Sequence, residues 1–131
     1  MGYFDKMLVN EPCTVDTIAS KLTYLQVQTQ LLHWQTTGYA KHQALGTLYE
    51  YIGSFKDDIV EKIMGYTGNR PTTFVIPQLN NNTPEMLLED MMQYASKLKT
   101  FGEMNKYHDI CNLADEFSGM AAKTKYLLTL T

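Results

Sequence analysis

Apolar residues recur at helical spacings in four separate stretches of the chain, and no repeat or low-complexity tract interrupts them. The first stretch carries Val15, Ile18, Leu22, Leu25 and Leu32 at intervals of three, four and seven, which predicts one apolar face on a helix. Thr14 is its expected N-cap, Asp16 suits the positive end of the helix dipole, and the helix is expected to stop near Gly38. The second is expected from about Ala40 to Met64, with Leu45, Leu48, Ile52, Phe55 and Ile59 as its core stripe and Gly65 ending it. So short a turn between two helices makes them antiparallel neighbours.

Residues 67–83 hold two of the four prolines and three consecutive asparagines, so they read as a long connection with one short ordered piece at Thr73 to Ile76. Thr83, Pro84 and Glu85 together form a strong helix start, and Leu88, Met91, Ala95 and Leu98 give a third helix a buried stripe as far as Gly102. The fourth stripe is Ile110, Leu113, Phe117, Met120, Thr124 and Leu127, alternating spacings of three and four as in coiled-coil-like packing. The expected fold is all-α, a single domain over 1–131. Two short hairpins joined by one long crossover give the ferritin-like arrangement of a four-helix bundle.

Composition narrows the function classes. With 131 residues, 44% hydrophobic, the chain can bury one real core. Its net charge of −3 is spread over both halves, so no basic arm advertises nucleic acid. No apolar run approaches the roughly 18 residues a membrane span needs, and the start of the chain has no signal-peptide core. A cytoplasmic protein is expected. Lys6 stands where an N-myristoylation signal wants Ser or Thr. Cys13 and Cys111, far apart and in no CxxC motif, read as free thiols, and the methionines as gap-filling core residues.

The second helix has another stripe to satisfy: His42, Gly46, Tyr49, Gly53, Asp57, Val60 and Met64 fall within a band roughly 80° wide, apart from the core stripe. Two interior glycines seven residues apart call for close approach of another helix, most economically the same helix of a second subunit across a two-fold axis. The alternative is that Gly46 and Gly53 are tolerated surface residues.

On the first helix His33 points to the bundle side and is followed by Trp34; alone, a histidine on such a face is more often a hydrogen-bonded core residue than a ligand. His42 opens the next helix across the turn, so two imidazoles can face one region. Asp57 and Glu61 form an i, i+4 carboxylate pair on the same helix, some 22 to 28 Å beyond His42 at about 1.5 Å per residue. One ion cannot bridge that distance within one chain. A two-fold axis between Tyr49 and Gly53 would bring a partner's carboxylates to these histidines, a mixed N/O set suited to Fe(II), Mn(II) or Zn(II). The alternative is that Asp57 and Glu61 belong to a solvated face with Asp58 and Lys62.

These residues resemble the Dps mini-ferritins, dodecameric ferritin-like proteins that oxidise and store iron. The likeness is carried by His33-Trp34, Gly38, His42, the Asp57-x-x-x-Glu61 pair and Gly68-Asn69-Arg70-Pro71, and extends by length and pattern over the rest of the chain. It implies an iron site between two subunits of a homo-dodecamer joined through the second helix. His33 and His42 would come from one subunit and Asp57 and Glu61 from its mate, with peroxide or oxygen as oxidant and Trp34 and Tyr49 as aromatic redox neighbours.

The chain also departs from that pattern. Its turn between His33 and His42 is shorter, and Gly46 stands where the family commonly has another carboxylate, which implies a weaker second iron site. Residues 1–13 carry only Lys6 against Asp5 and Glu11, so DNA binding through a basic tail is not supported. No Glu-x-x-His motif occurs for an intrasubunit di-iron centre, and His108 is expected to face solvent. The competing expectation is a structural or oligomerising protein that keeps the bundle without efficient iron oxidation.

Overall fold

The computed structural model describes residues 12–80 and 82–131. They form four α-helices and, among the described residues, no strand: α1 (Val15–Gln35), α2 (Tyr39–Thr67), α3 (Pro84–Asn105) and α4 (His108–Leu127). The sequence readings of the N-terminal segment, Lys6 and Met7 among them, lie outside the described residues. No helix of the described residues is long and apolar enough to cross a membrane.

The starts of α1 and α3 follow the expected capping chemistry. Thr14 Oγ1 accepts the Thr17 N–H, and Thr17 Oγ1 accepts the Thr14 N–H, so two orphan donors of α1 are satisfied reciprocally. Thr83 caps α3 by accepting the Met86 N–H, with Pro84 in the first turn. The helix ends differ. Gly65 does not stop α2: the helix runs through it to Thr67, and Gly68 takes the left-handed conformation at φ 74° that closes the helix. Gly102 does not stop α3 either; it is buried inside the helix, where a Cβ would lie 2.8 Å from Cys111 Sγ and 3.1 Å from the Cys111 nitrogen. The turn comes at Lys106, at φ 60°.

All the apolar stripes point inward as expected, with Met120 and Leu127 only partly buried at the end of α4. Met86 and Met104, expected near apolar stripes, are exposed at 51% and 79%. The α1–α2 and α3–α4 hairpins join through α2 against α4 and, to a lesser extent, α1 against α3. Phe55 and Phe117 meet across α2 and α4 with ring centroids 4.5 Å apart, and Lys62 pairs with Asp109 at 2.8 Å toward one end. These pairings make α4 antiparallel to α2.

Between α1 and α3 the connection is ionic. Lys21, 1% exposed, donates to both carboxylate oxygens of Asp90 at 2.9 Å, with the Tyr24 and Tyr94 rings beside its ammonium. A buried charge is tolerable only when paired and hydrogen-bonded in this way.

The described residues of the long connection between α2 and α3 contain no helix or strand, and the ordered piece expected at Thr73 to Ile76 has no regular structure. It is held instead by side chains of α1. The Thr72 N–H and hydroxyl donate to the Asp16 carboxylate at 2.7 and 2.8 Å, and the Val75 N–H donates to Ser20 Oγ at 3.0 Å. Gln28 and Asn80 exchange a pair of bonds, the Asn80 N–H to Gln28 Oε1 and Gln28 Nε2 to the Asn80 carbonyl. Asp16, Ser20 and Gln28 are spaced by four and eight, so one polar row on α1 satisfies backbone donors that a loop crossing a helix would otherwise leave unpaired. The connection thereby travels along α1 from its first turn onward and delivers α3 parallel to α2. The result is a four-helix bundle with one long crossover.

Candidate metal centre

The α1–α2 turn places the two histidines face to face. His33 lies in the last turn of α1 and His42 in the first turn of α2, and their rings stack with centroids 3.8 Å apart and planes 19° from parallel. Each ring is anchored on the other residue's backbone: His33 Nδ1 lies 2.7 Å from the His42 carbonyl oxygen, and His42 Nδ1 lies 2.9 Å from the His33 carbonyl oxygen. A carbonyl oxygen only accepts, so both Nδ1 atoms must carry the proton. In the neutral ring that tautomer leaves a lone pair on Nε2 of both side chains, which is how backbone oxygens usually prepare a histidine for a metal. The same bonds serve the fold. The His33 carbonyl belongs to the last turn of α1, where carbonyls lack helical partners, and His42 supplies one.

Beside the His33 ring a cavity of about 370 Å³ is lined by His33, Trp34, Gly46, Tyr49 and Glu50, among others. Trp34 is 66% exposed, and it and Tyr49 meet the site on the cavity wall. A second cavity of about 390 Å³ lies farther along the same helix pair, walled by Gln26, Glu50, Gly53 and Asp57, among others. Glu50 borders both. Sequence reasoning passed over it, although at about 100° per residue it falls on the same side of α2 as Asp57 and Glu61.

The two interior glycines are explained within the chain. A Cβ at Gly46 would lie 2.9 Å from His33 Cε1, and one at Gly53 would lie 2.7 Å from Gln26 Nε2. Gln26 in turn accepts from Lys56 Nζ at 2.7 Å. Side chains seven residues apart on α1 therefore sit in notches seven residues apart on α2. The close approach that glycine spacing demanded is that of α1, so Gly46 and Gly53 are no argument for a second subunit, nor are they merely tolerated surface residues.

Asp57 and Glu61 are exposed on α2, and the unbroken helix keeps them far from His42. Among the described residues of one chain, no three His, Cys, Asp or Glu side chains gather as a metal site. The charge run around them divides, however. Lys62 bridges Asp58 and Asp109, which raises its pKa, whereas Asp57 and Glu61 make no salt bridge with a described residue. His108 is exposed at the start of α4, and Cys13 and Cys111 are both free thiols, with burial pushing the Cys13 thiol up.

Residues 33–128 match DUF5856, a family of unknown function, over well more than half of the chain. Full-length similarity extends to an uncharacterized 14.6 kDa protein of the mobD-ri intergenic region of Enterobacteria phage T4, 25% identical over 132 residues and covering 99% of both chains. No solved structure matches. The family match begins at His33 itself, and the chain belongs to DUF5856.

Proposed function

We propose that this member of DUF5856 is a ferritin-like metal protein of the Dps type: it binds Fe(II) between subunits, oxidises it and stores the ferric product inside a homo-dodecamer. His33 and His42 supply imidazoles through Nε2. Asp57 and Glu61 of the partner subunit supply carboxylates, and Trp34 and Tyr49 are the aromatic neighbours. Fe(II) is the substrate, and Mn(II) or Zn(II) would suit the same nitrogen and oxygen donors. With peroxide as oxidant, two Fe(II) each lose one electron; the peroxide O–O bond breaks, and two protons complete two waters.

The observation that carries this reading is the mutual anchoring of the two imidazoles, which leaves two basic nitrogens in the metal-ready tautomer on stacked rings, with His33 on the wall of a cavity. The unpaired Asp57 and Glu61 add carboxylates that no cation of the described chain neutralises. The test is anaerobic Fe(II) titration followed by peroxide, with assembly mass measured on the same sample. Saturable binding, rapid oxidation and a mass near twelve subunits are expected, and Asp57→Ala or Glu61→Ala should abolish binding while leaving the assembly intact. Unchanged oxidation in those variants sinks the assignment.

The same two hydrogen bonds favour one other reading, a structural or oligomerising bundle in which the histidines clasp the α1–α2 turn. In that case His33→Ala lowers stability and wild-type protein shows no saturable Fe(II) binding.

A further inference from the structure

Gly46 lies under the edge of the His33 ring. A Cβ there would stand 2.9 Å from Cε1, 3.2 Å from Nδ1 and 3.6 Å from Nε2, with no other atom closer. Contacts this short force a displacement, and what must yield is the ring, since the nearest atoms belong to a side chain and not to backbone. Yet the ring is held on two sides, by the 2.7 Å bond from Nδ1 to the His42 carbonyl and by the stack on His42.

The position of the glycine explains how that bond forms at all. In an α-helix the carbonyl of residue 42 points along the axis toward residue 46, the partner of its own i to i+4 bond. A side chain at 46 flanks that carbonyl. Leaving it out opens the oxygen to a donor arriving from α1, and His33 is that donor.

We infer that Gly46 is the positioning residue of the His33 imidazole: its missing side chain admits the ring against α2, lets Nδ1 reach the His42 carbonyl and so aims Nε2. Residue 46 thereby sets Fe(II) affinity through His33 while touching no metal. The functional half of this statement rests on the proposed metal reading; the placement of the ring does not.

A double-mutant cycle tests it, made of Gly46→Ala, His33→Ala and the pair, each followed by thermal unfolding, by Fe(II) titration under anaerobic conditions and by nitrogen-15 spectra of the imidazoles. Alanine is the better helix former, so the variants will fold. In the His33 background Gly46→Ala should lower Tm, move the His33 ring resonances and weaken Fe(II) binding by about tenfold, the scale of losing an outer-shell contact. In the His33→Ala background the same substitution should raise Tm and leave residual binding unchanged. An equal fall in Tm in both backgrounds, or unmoved His33 resonances, overturns the inference. Absence of Fe(II) binding by the wild type overturns the metal reading and the affinity claim, while the resonances and the Tm cycle still decide the placement of the ring.

Discussion

Tyr51 on α2 lies half-buried against Phe55 and Phe117, and its hydroxyl has no hydrogen-bond partner among the described residues. Burial, with a smaller contribution from the Glu116 charge, pushes its pKa up to about 12. An unsatisfied buried donor lowers stability, so Tyr51→Phe is expected to raise it by about 1 kcal/mol in urea titrations; a loss of stability would mean that the hydroxyl has a partner. Single residues also mark where sequence reading stops. The nearness of His33 and His42 follows from helix phase and a short turn, both visible in the sequence. Their stacking and crossed backbone bonds do not, because these depend on the space that Gly46 leaves. Lys21 gave no signal, since a lysine on a helix reads as a solvated charge until Asp90 is found on another helix, 69 residues away.

At the scale of elements, the starts of α1 and α3 were legible because capping residues act locally, whereas the ends of α2 and α3 were misplaced by three residues each. Gly65 and Gly68 are indistinguishable in sequence; only backbone conformation tells which one closes α2. The crossover itself was legible, but its conformation escaped prediction for a related reason, since its order comes from side chains of another element. Thr72 hydrogen bonds hold the Asp16 carboxyl below its usual range. A lowered carboxyl pKa stabilises above the unfolded value of about 3.9, and that contribution disappears as pH falls through the lower folded value. Protection of the Thr72 amide, measured against its intrinsic exchange rate, should therefore fall below about pH 4, and Asp16→Asn should abolish that step; persistence of the step in the variant counts against the clasp. The α1–α3 pair makes a second demand. Lys21→Met strands a largely buried carboxylate and should cost about 3–5 kcal/mol, whereas Lys21→Met with Asp90→Leu should recover most of it. Equal losses in the single and double variants would contradict the pairing.

For the whole molecule, the decisive question is whether one copy completes the site of another. Under the proposed function, His33→Ala and Asp57→Ala are inactive separately, yet mixing them makes heterodimers in which one of the two sites has every ligand. Random reassembly at equal amounts should then restore about a quarter of the sites in Fe(II) oxidation assays, as two-fold symmetry dictates. Failure of refolded mixtures to regain oxidation would place all the ligands in one chain or remove the site. The notched seam between α1 and α2 bears on how any such assembly can move. With His33 seated at Gly46 and Gln26 at Gly53, sliding one helix by a turn would push both side chains out of their notches together. The seam is a mechanical detent: the hairpin can tilt or rotate as one rigid lever, but it cannot ratchet, so motion between subunits must be taken up elsewhere than within this helix pair.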